Sequence, residues 1–266
     1  MSDDLPLVGL KTKEEIVRNW LPRYTGTPLN QFGDRVLITN FSNYLRKFSE
    51  RFNAPILGLH NTYQTCTNSD GLTMINFGMG SANAATLMDL LTAVMPKAVL
   101  LLGKCGGLKK STEIGHFVLP IGAIRGEGTS NDYAPAEVPA LPSFKLHKFV
   151  SEKIVNAGFE YRTGVVYTTN RRVWEHDEVF QKKLRDYHVI AIDMETATIF
   201  VTGLVNKIPR GALLLVSDLP TTPQGVKTED SDKSITAKYV DWHLEIGITA
   251  LSDIATAGEQ IKHFTY

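Results

Sequence analysis

Apolar residues fall along this chain in short runs, each closed by glycine, an acid or a turn. Residues 36–39 (VLIT), 72–77 (LTMINF), 98–102 (AVLLL), 117–121 (FVLPI), 164–168 (GVVYT), 189–193 (VIAID) and 212–216 (ALLLV) are strand-length. AVLLL and ALLLV have no polar alternation, as expected of strands buried on both faces of a parallel sheet. Between them the spacing turns helical. Helices are predicted over 13–21, over 81–95 with Ser81 as cap and Pro96 as stop, over 146–157 with Gly158 at its end, and over 194–205. A last helix over 232–256 places Ile235, Tyr239, Trp242, Ile246 and Leu251 near one stripe. Alternating strand and helix signals predict an α/β fold, a single domain with a mixed, mostly parallel central sheet flanked by helices. That domain is expected to span 35–266, with 1–34 as a polar leader packing on it.

Ligands of such sheets bind beyond the carboxyl ends of the strands. Three of those ends carry chemistry: Gly103–Gly107, Asp193–Glu195 and Ser217–Asp218. The segment Gly103-Lys104-Cys105-Gly106-Gly107 fits neither a P-loop nor a dinucleotide fingerprint, because Ala98 and Cys105 stand at required P-loop positions and LKKSTEIG leads to another strand. It is either a tight turn or a place where backbone N–H groups approach a small polar ligand. Gly78-Met79-Gly80 opens a helix, where an anion is favoured. Asp193 and Glu195 either complement a helix N-terminus or offer a carboxylate to a sugar diol. Asp218, after ALLLV, is either a loop-capping acid or a partly desolvated general acid; Lys227, nine residues on, is a candidate modulator. Arg171, Arg172, Trp174 and His176 lie in YTTNRRVWEHD. They form either a solvated ion-pair cluster or a site for phosphate and a flat base. The Gly-, Pro- and Ser-rich stretch 126–143 reads as a long loop of the kind that often has a function.

Composition removes alternatives. The 266 residues hold 28 basic and 28 acidic side chains, so no general field attracts nucleic acid or an anionic membrane. Apolar residues make up 43% and charged residues 21%, as in ordinary globular domains. Cys66 and Cys105 cannot form a disulfide framework, the first residues do not resemble a signal peptide, and apolar runs stop at about six residues, so a cytoplasmic location is expected. The seven histidines show no ligand spacing, and no metal is expected.

GKCGGL, DMETATIF and VSDLP, taken in this order, resemble the purine nucleoside phosphorylase/uridine phosphorylase superfamily. Gly78-Met79-Gly80 and APAEVP at 134–139 agree. The longer strings GEGTSNDYAPAEVPALPSF, YTTNRRVWEHDE, DMETATIF and ALLLVSDLP are similar to the catalytic domain of bacterial AMP nucleosidases. The resemblance implies hydrolysis of AMP to adenine and ribose 5-phosphate by water, without cofactor; the alternative is a phosphorylase or nucleosidase acting on unphosphorylated purine nucleosides. It implies that Glu195 binds the ribose hydroxyls with Met194 under the sugar, and that Asp218 protonates purine N7 with Ser217 setting its loop. Gly103, Lys104, Cys105 and Gly106 would wall the ligand. Leu101 and Lys104 replace the phosphorylases' phosphate-binding Arg and Thr, and Thr39-Asn40-Phe41 replaces their early phosphate loop, so a phosphorolytic site looks dismantled. Arg172, in place of a base-stacking Phe, would with Arg171 reach the substrate phosphate, leaving Trp174 to contact the base. His60 aligns with an Arg that reaches a neighbouring subunit, which implies a homo-oligomer with shared sites, a hexamer by resemblance. The longer AMP nucleosidases also carry an N-terminal regulatory region, expected here to be absent or reduced.

Overall fold

The computed structural model describes residues 11–222, 225–226 and 228–256. Among these residues eight strands make one sheet: β1 (Arg35–Thr39), β2 (Gln64–Thr67), β3 (Leu72–Asn76), β4 (Ala98–Gly107), β5 (Phe117–Gly126), β6 (Tyr161–Thr169), β7 (Ala191–Asp193) and β8 (Arg210–Asp218). Their order is β2-β3-β1-β4-β7-β6-β5-β8, and β8 also pairs with β4. The last five strands therefore close into a ring, and β1, β3 and β2 extend from β4 as an open wing. Pairs β1–β3, β1–β4, β4–β8, β5–β6 and β6–β7 are parallel; β2–β3, β4–β7 and β5–β8 are antiparallel. Among the described residues seven α-helices flank the sheet: α1 (Lys13–Thr25), α2 (Ser42–Phe52), α3 (Ser81–Leu90), α4 (Phe144–Asn156), α5 (Glu178–Asp186), α6 (Thr196–Val205) and α7 (Glu229–Thr256).

Alternate residues of the buried strands feed two cores. Val99, Leu101 and Leu214 face α1, α3 and α6, whereas Leu100, Leu102 and Leu213 face α2, α4 and α7. Val17 and Leu21 bring α1 into the first core. In the second, His243 of α7 lies 2.7 Å from Tyr44 Oη and 2.9 Å from the Leu213 carbonyl oxygen. Burial pushes its pKa down to about 3, so a neutral imidazole ties α2 and α7 to β8.

Several expectations need correction. Gly103–Gly107 is not a turn: β4 runs through it, paired with β8 and then β7. The helix predicted over 81–95 stops at Leu90, passes into a 3-10 turn at Leu91–Ala93, and leaves Met95 exposed at φ 44°. Its cap is Gly80, at a φ of 99° that favours glycine; the Ser81 hydroxyl is instead 2.8 Å from that of Thr129. On α7, Ile235, Ile246 and Leu251 are buried, but Trp242 overhangs the edge against Phe159. β2, α2 and α5 were not foreseen.

Candidate active site

The three strand ends meet at Gly106. It pairs with Ile192 of β7 on one side and with Asp218 of β8 on the other. Between Cys105 and Gly106 the β4–β8 register jumps from Val216 to Asp218, so Ser217 is an extra, bulged residue. A bulge re-aims the side chains beside it. Here Ser217 Oγ lies 2.7 Å from Asp218 Oδ1, and both residues line a cavity above the strand ends. A Cβ at position 106 would lie 3.0 Å from the Pro220 ring, so glycine keeps the wall flat at the junction.

Ten of the twelve expected site residues line this one cavity: Lys104, Cys105, Gly106, Arg171, Arg172, Trp174, Met194, Glu195, Ser217 and Asp218. Gly103 is buried within β4 and does not reach it. His60 sits in an exposed turn outside it. Lys227 lies outside the described residues. None of residues 126–143 lines the cavity either; Arg125 pins that segment by donating to the carbonyls of Ser130, Ala134, Pro135 and Val138.

Glu195 forms the floor. It is 4% exposed, and its Oε1 accepts the Gly80 N–H at 2.7 Å and the Asn40 amide at 3.2 Å. The Met194 backbone N–H also favours its charged form, and the residue lines the cavity, where its carboxylate can meet a ligand. Asp193, two residues before it, lines the same cavity. Asp193 Oδ2 accepts the N–H groups of Glu195 and Thr196 at 3.1 and 2.7 Å, and Oδ1 accepts the Thr168 hydroxyl at 2.7 Å. Both acids line the cavity, and Asp193 in addition complements the helix N-terminus. Burial raises the pKa of both carboxyls, and the Asp193 charge raises that of Glu195 further.

The segment Thr39-Asn40-Phe41, read from the sequence only as a lost phosphate loop, supplies two walls. Asn40 holds Glu195, and the Phe41 ring lies 4.7 Å beneath the Lys104 ammonium. Asn40, Phe41, Met79, Thr169, Glu175, Ile192 and Pro220 line the cavity without having been assigned to it. Leu101, read from the sequence as replacing the phosphorylases' phosphate-binding Arg, is packed in the apolar core.

The opposite rim is charged and exposed. Arg171 Nη1 is 2.8 Å from Asp177 Oδ2, and Arg172 Nη1 is 3.4 Å from Glu175 Oε1. Asp177 also caps α5 by accepting the Phe180 N–H at 2.9 Å. Trp174 is largely buried, packed edge-on against Phe180, and reaches the cavity from that small cluster.

Comparison with known proteins identifies the family of the chain. A solved AMP nucleosidase from Bacteroides thetaiotaomicron is 52% identical, with a TM-score of 0.83 over 92% of this chain and 99% of that one. The AMP nucleosidase of Escherichia coli K12 is 28% identical over 91% of this chain; the chain spans 59% of that protein's length. A uridine phosphorylase structure from Vibrio fischeri, 20% identical with a TM-score of 0.76 over 85% of this chain and 94% of its own, shares the fold. Residues 34–257 match the phosphorylase superfamily as a whole, the stretch that contains every strand and every residue of the cavity. The chain belongs to the phosphorylase superfamily.

Proposed function

We propose that this chain is a hydrolase that cleaves the N-glycosidic bond of AMP, giving adenine and ribose 5-phosphate. The observation that carries the choice of a nucleotide is the pairing, in one cavity, of a buried carboxylate floor with an exposed two-arginine rim. Similarity to the AMP nucleosidases supports it. The ribose 2′- and 3′-hydroxyls donate to Glu195 Oε2, with Met194 under the sugar. The 5′-phosphate lies toward Arg171 and Arg172, whose planar forks suit phosphate oxygens. Trp174 and the glycine-rich end of β4 border the base.

The chemistry follows from these positions. Asp218 transfers a proton to purine N7 as the C1′–N9 bond breaks and its electron pair moves onto the base. Positive charge develops on the sugar, and as it does the carboxylate form of Glu195, which the Gly80, Met194 and Asn40 hydrogen bonds favour against the effect of burial, becomes the stabilising one. A water oxygen bonds to C1′ and gives up a proton, which balances the one transferred to the base. Water is the nucleophile in this reading because Leu101, which by the resemblance replaces the phosphorylases' phosphate-binding Arg, is packed in the apolar core. A homo-oligomer in the cytoplasm is part of the same reading; it rests on the family resemblance and on the composition.

Incubation with AMP and with adenosine, each with and without inorganic phosphate, tests the proposal. Adenine and ribose 5-phosphate from AMP, at a rate indifferent to phosphate as co-substrate, are expected. Ribose 1-phosphate as product, or turnover of adenosine alone, would overturn it.

A further inference from the structure

Glu127 is a buried acid outside the cavity. It follows Gly126, the last residue of β5, and is 3% exposed. Its Oε1 accepts the Ser130 N–H at 3.0 Å and the Thr198 hydroxyl at 2.8 Å, while Oε2 is buried without a hydrogen-bond partner. A half-satisfied buried carboxylate is costly, and such a group calls for an explanation. Two residues on, Thr129 shares its hydroxyl hydrogen bond with Ser81. The turn 127–130 is therefore tied to α6 through Thr198 and to α3 through Ser81.

These are the two helices whose N-termini build the floor of the site. Glu195 immediately precedes α6, three residues before Thr198 and so within one helical turn of it. Gly80 immediately precedes Ser81, and its N–H is the shorter of the two bonds to Glu195 Oε1. The brace touches both sides of that bond and never enters the cavity.

We propose that Glu127 is a positioning residue for ribose recognition. It holds the starts of α6 and α3 at the spacing where one oxygen of Glu195 is anchored and the other meets the 2′-hydroxyl. The proposal rests on Glu195 as the ribose-binding group. It predicts that Glu127 governs discrimination between ribose and 2′-deoxyribose without governing cleavage itself.

The test compares kcat/KM for AMP and 2′-deoxy-AMP, and for adenosine and 2′-deoxyadenosine, in the wild type, Glu127→Ala, Glu127→Gln and Thr198→Val. The wild type should favour the ribo form by about tenfold or more, the scale of one hydrogen bond to a charged group. Glu127→Ala and Thr198→Val should bring the ratio down to about threefold or less, mostly by slowing the ribo substrate. Glu127→Gln, whose amide oxygen accepts the same two bonds, should keep most of the preference. Equal losses on ribo and deoxy substrates, or an unchanged ratio in folded variants, would show that the brace is merely structural and overturn the proposal. Thr198→Val changes a hydroxyl to a methyl at constant size, so it decides the matter if Glu127→Ala does not fold. If the wild type cleaves adenosine and not AMP, the AMP reading fails while the ratio on adenosine still tests Glu127. A wild type indifferent to the 2′-hydroxyl would remove the ribose-binding role of Glu195 itself.

Discussion

Glu195 and Arg172 line the same cavity, yet they are held in opposite ways. Glu195 is 4% exposed and receives hydrogen bonds from Asn40 and Gly80, residues more than 100 positions away in the chain. Arg172 has half its side chain in solvent and leans on Glu175, three residues on. Breaking a buried bond to a charged group costs about 1.5–3 kcal/mol, whereas an exposed ion pair contributes about 0–1 kcal/mol. The floor is thus set by the fold before any ligand arrives, and the rim is set by local contacts that a ligand can rearrange. In the proposed reaction the sugar meets a fixed geometry and the phosphate an adaptable one. This suits a site where charge develops at the sugar.

The largest effect should come from the acid that faces the floor. Asp218→Asn keeps the size and one oxygen but removes the transferable proton. Release of adenine from AMP should fall by about 100-fold or more, with KM much less affected. Near-normal kcat would mean that another group protonates the base, and that the bulge at Ser217 serves the sheet alone.

The floor should also reveal its cost in stability. Burial first, and Asp193 second, raise the Glu195 pKa. The folded state therefore binds this proton more tightly than the unfolded chain does. The stabilisation is complete below the unfolded value and is lost as pH rises through the folded one. Glu195→Gln is neutral at every pH and escapes that loss. Its melting temperature should exceed the wild type's near pH 8 by on the order of 2–4 °C for each kcal/mol involved, and the gap should close towards pH 4. A gap that does not change with pH would mean that Glu195 is not strained by its burial. The variant's gain in stability should come with lost activity, as is common where a site is built against the preference of the fold.

How far the sequence revealed each region follows the same division. Buried strands such as 98–102 and 212–216 were readable because unbroken Leu and Val runs have few other homes. The continuation of β4 through Gly103–Gly107 was not, since glycine disfavours strands and only pairing with Ile192 and Asp218 makes one here. Glu195 and Asp218 were legible as acids at strand ends, and the local cluster 171–177 was legible as a cluster. Asn40 was missed as a contact because its meaning lies in an amide turned toward residue 195, a contact between distant parts of the chain that no local pattern carries. Glu127 was hidden in a stretch that reads as loop by composition. α2 is amphipathic, with Tyr44, Leu45 and Phe48 buried, but its 11 residues make only a short periodic signal.

At the rim, Arg172→Ala should raise the KM for AMP by roughly tenfold and that for adenosine much less, because one charge-assisted contact to phosphate is lost. The KM for AMP should also climb with salt in the wild type and climb less in the variant, as expected of an exposed charge. Equal effects on AMP and adenosine would move Arg172 from the phosphate to the base or sugar.

The smallest effect is the most informative about how the rim is built. Glu175 touches Arg172 only at 3.4 Å, near the limit of a hydrogen bond, while its Oε2 accepts the Trp174 N–H at 2.9 Å. Glu175→Gln preserves the shape and the Trp174 bond but removes a negative charge. Two consequences oppose each other. Loss of the anchor should let Arg172 wander and raise the KM for AMP; loss of a carboxylate beside a phosphate dianion should lower it. The long Arg172 contact makes the anchor worth little, and charges a few ångströms apart near a wet surface still interact at about 1 kcal/mol or more. Repulsion should therefore win, and the KM for AMP should fall about two- to threefold, with adenosine unchanged and the gain erased by high salt. A rise in KM instead would mean that Glu175 holds Arg172 as firmly as Gly80 and Asn40 hold Glu195, and that the phosphate end is preorganised in the same way as the sugar end.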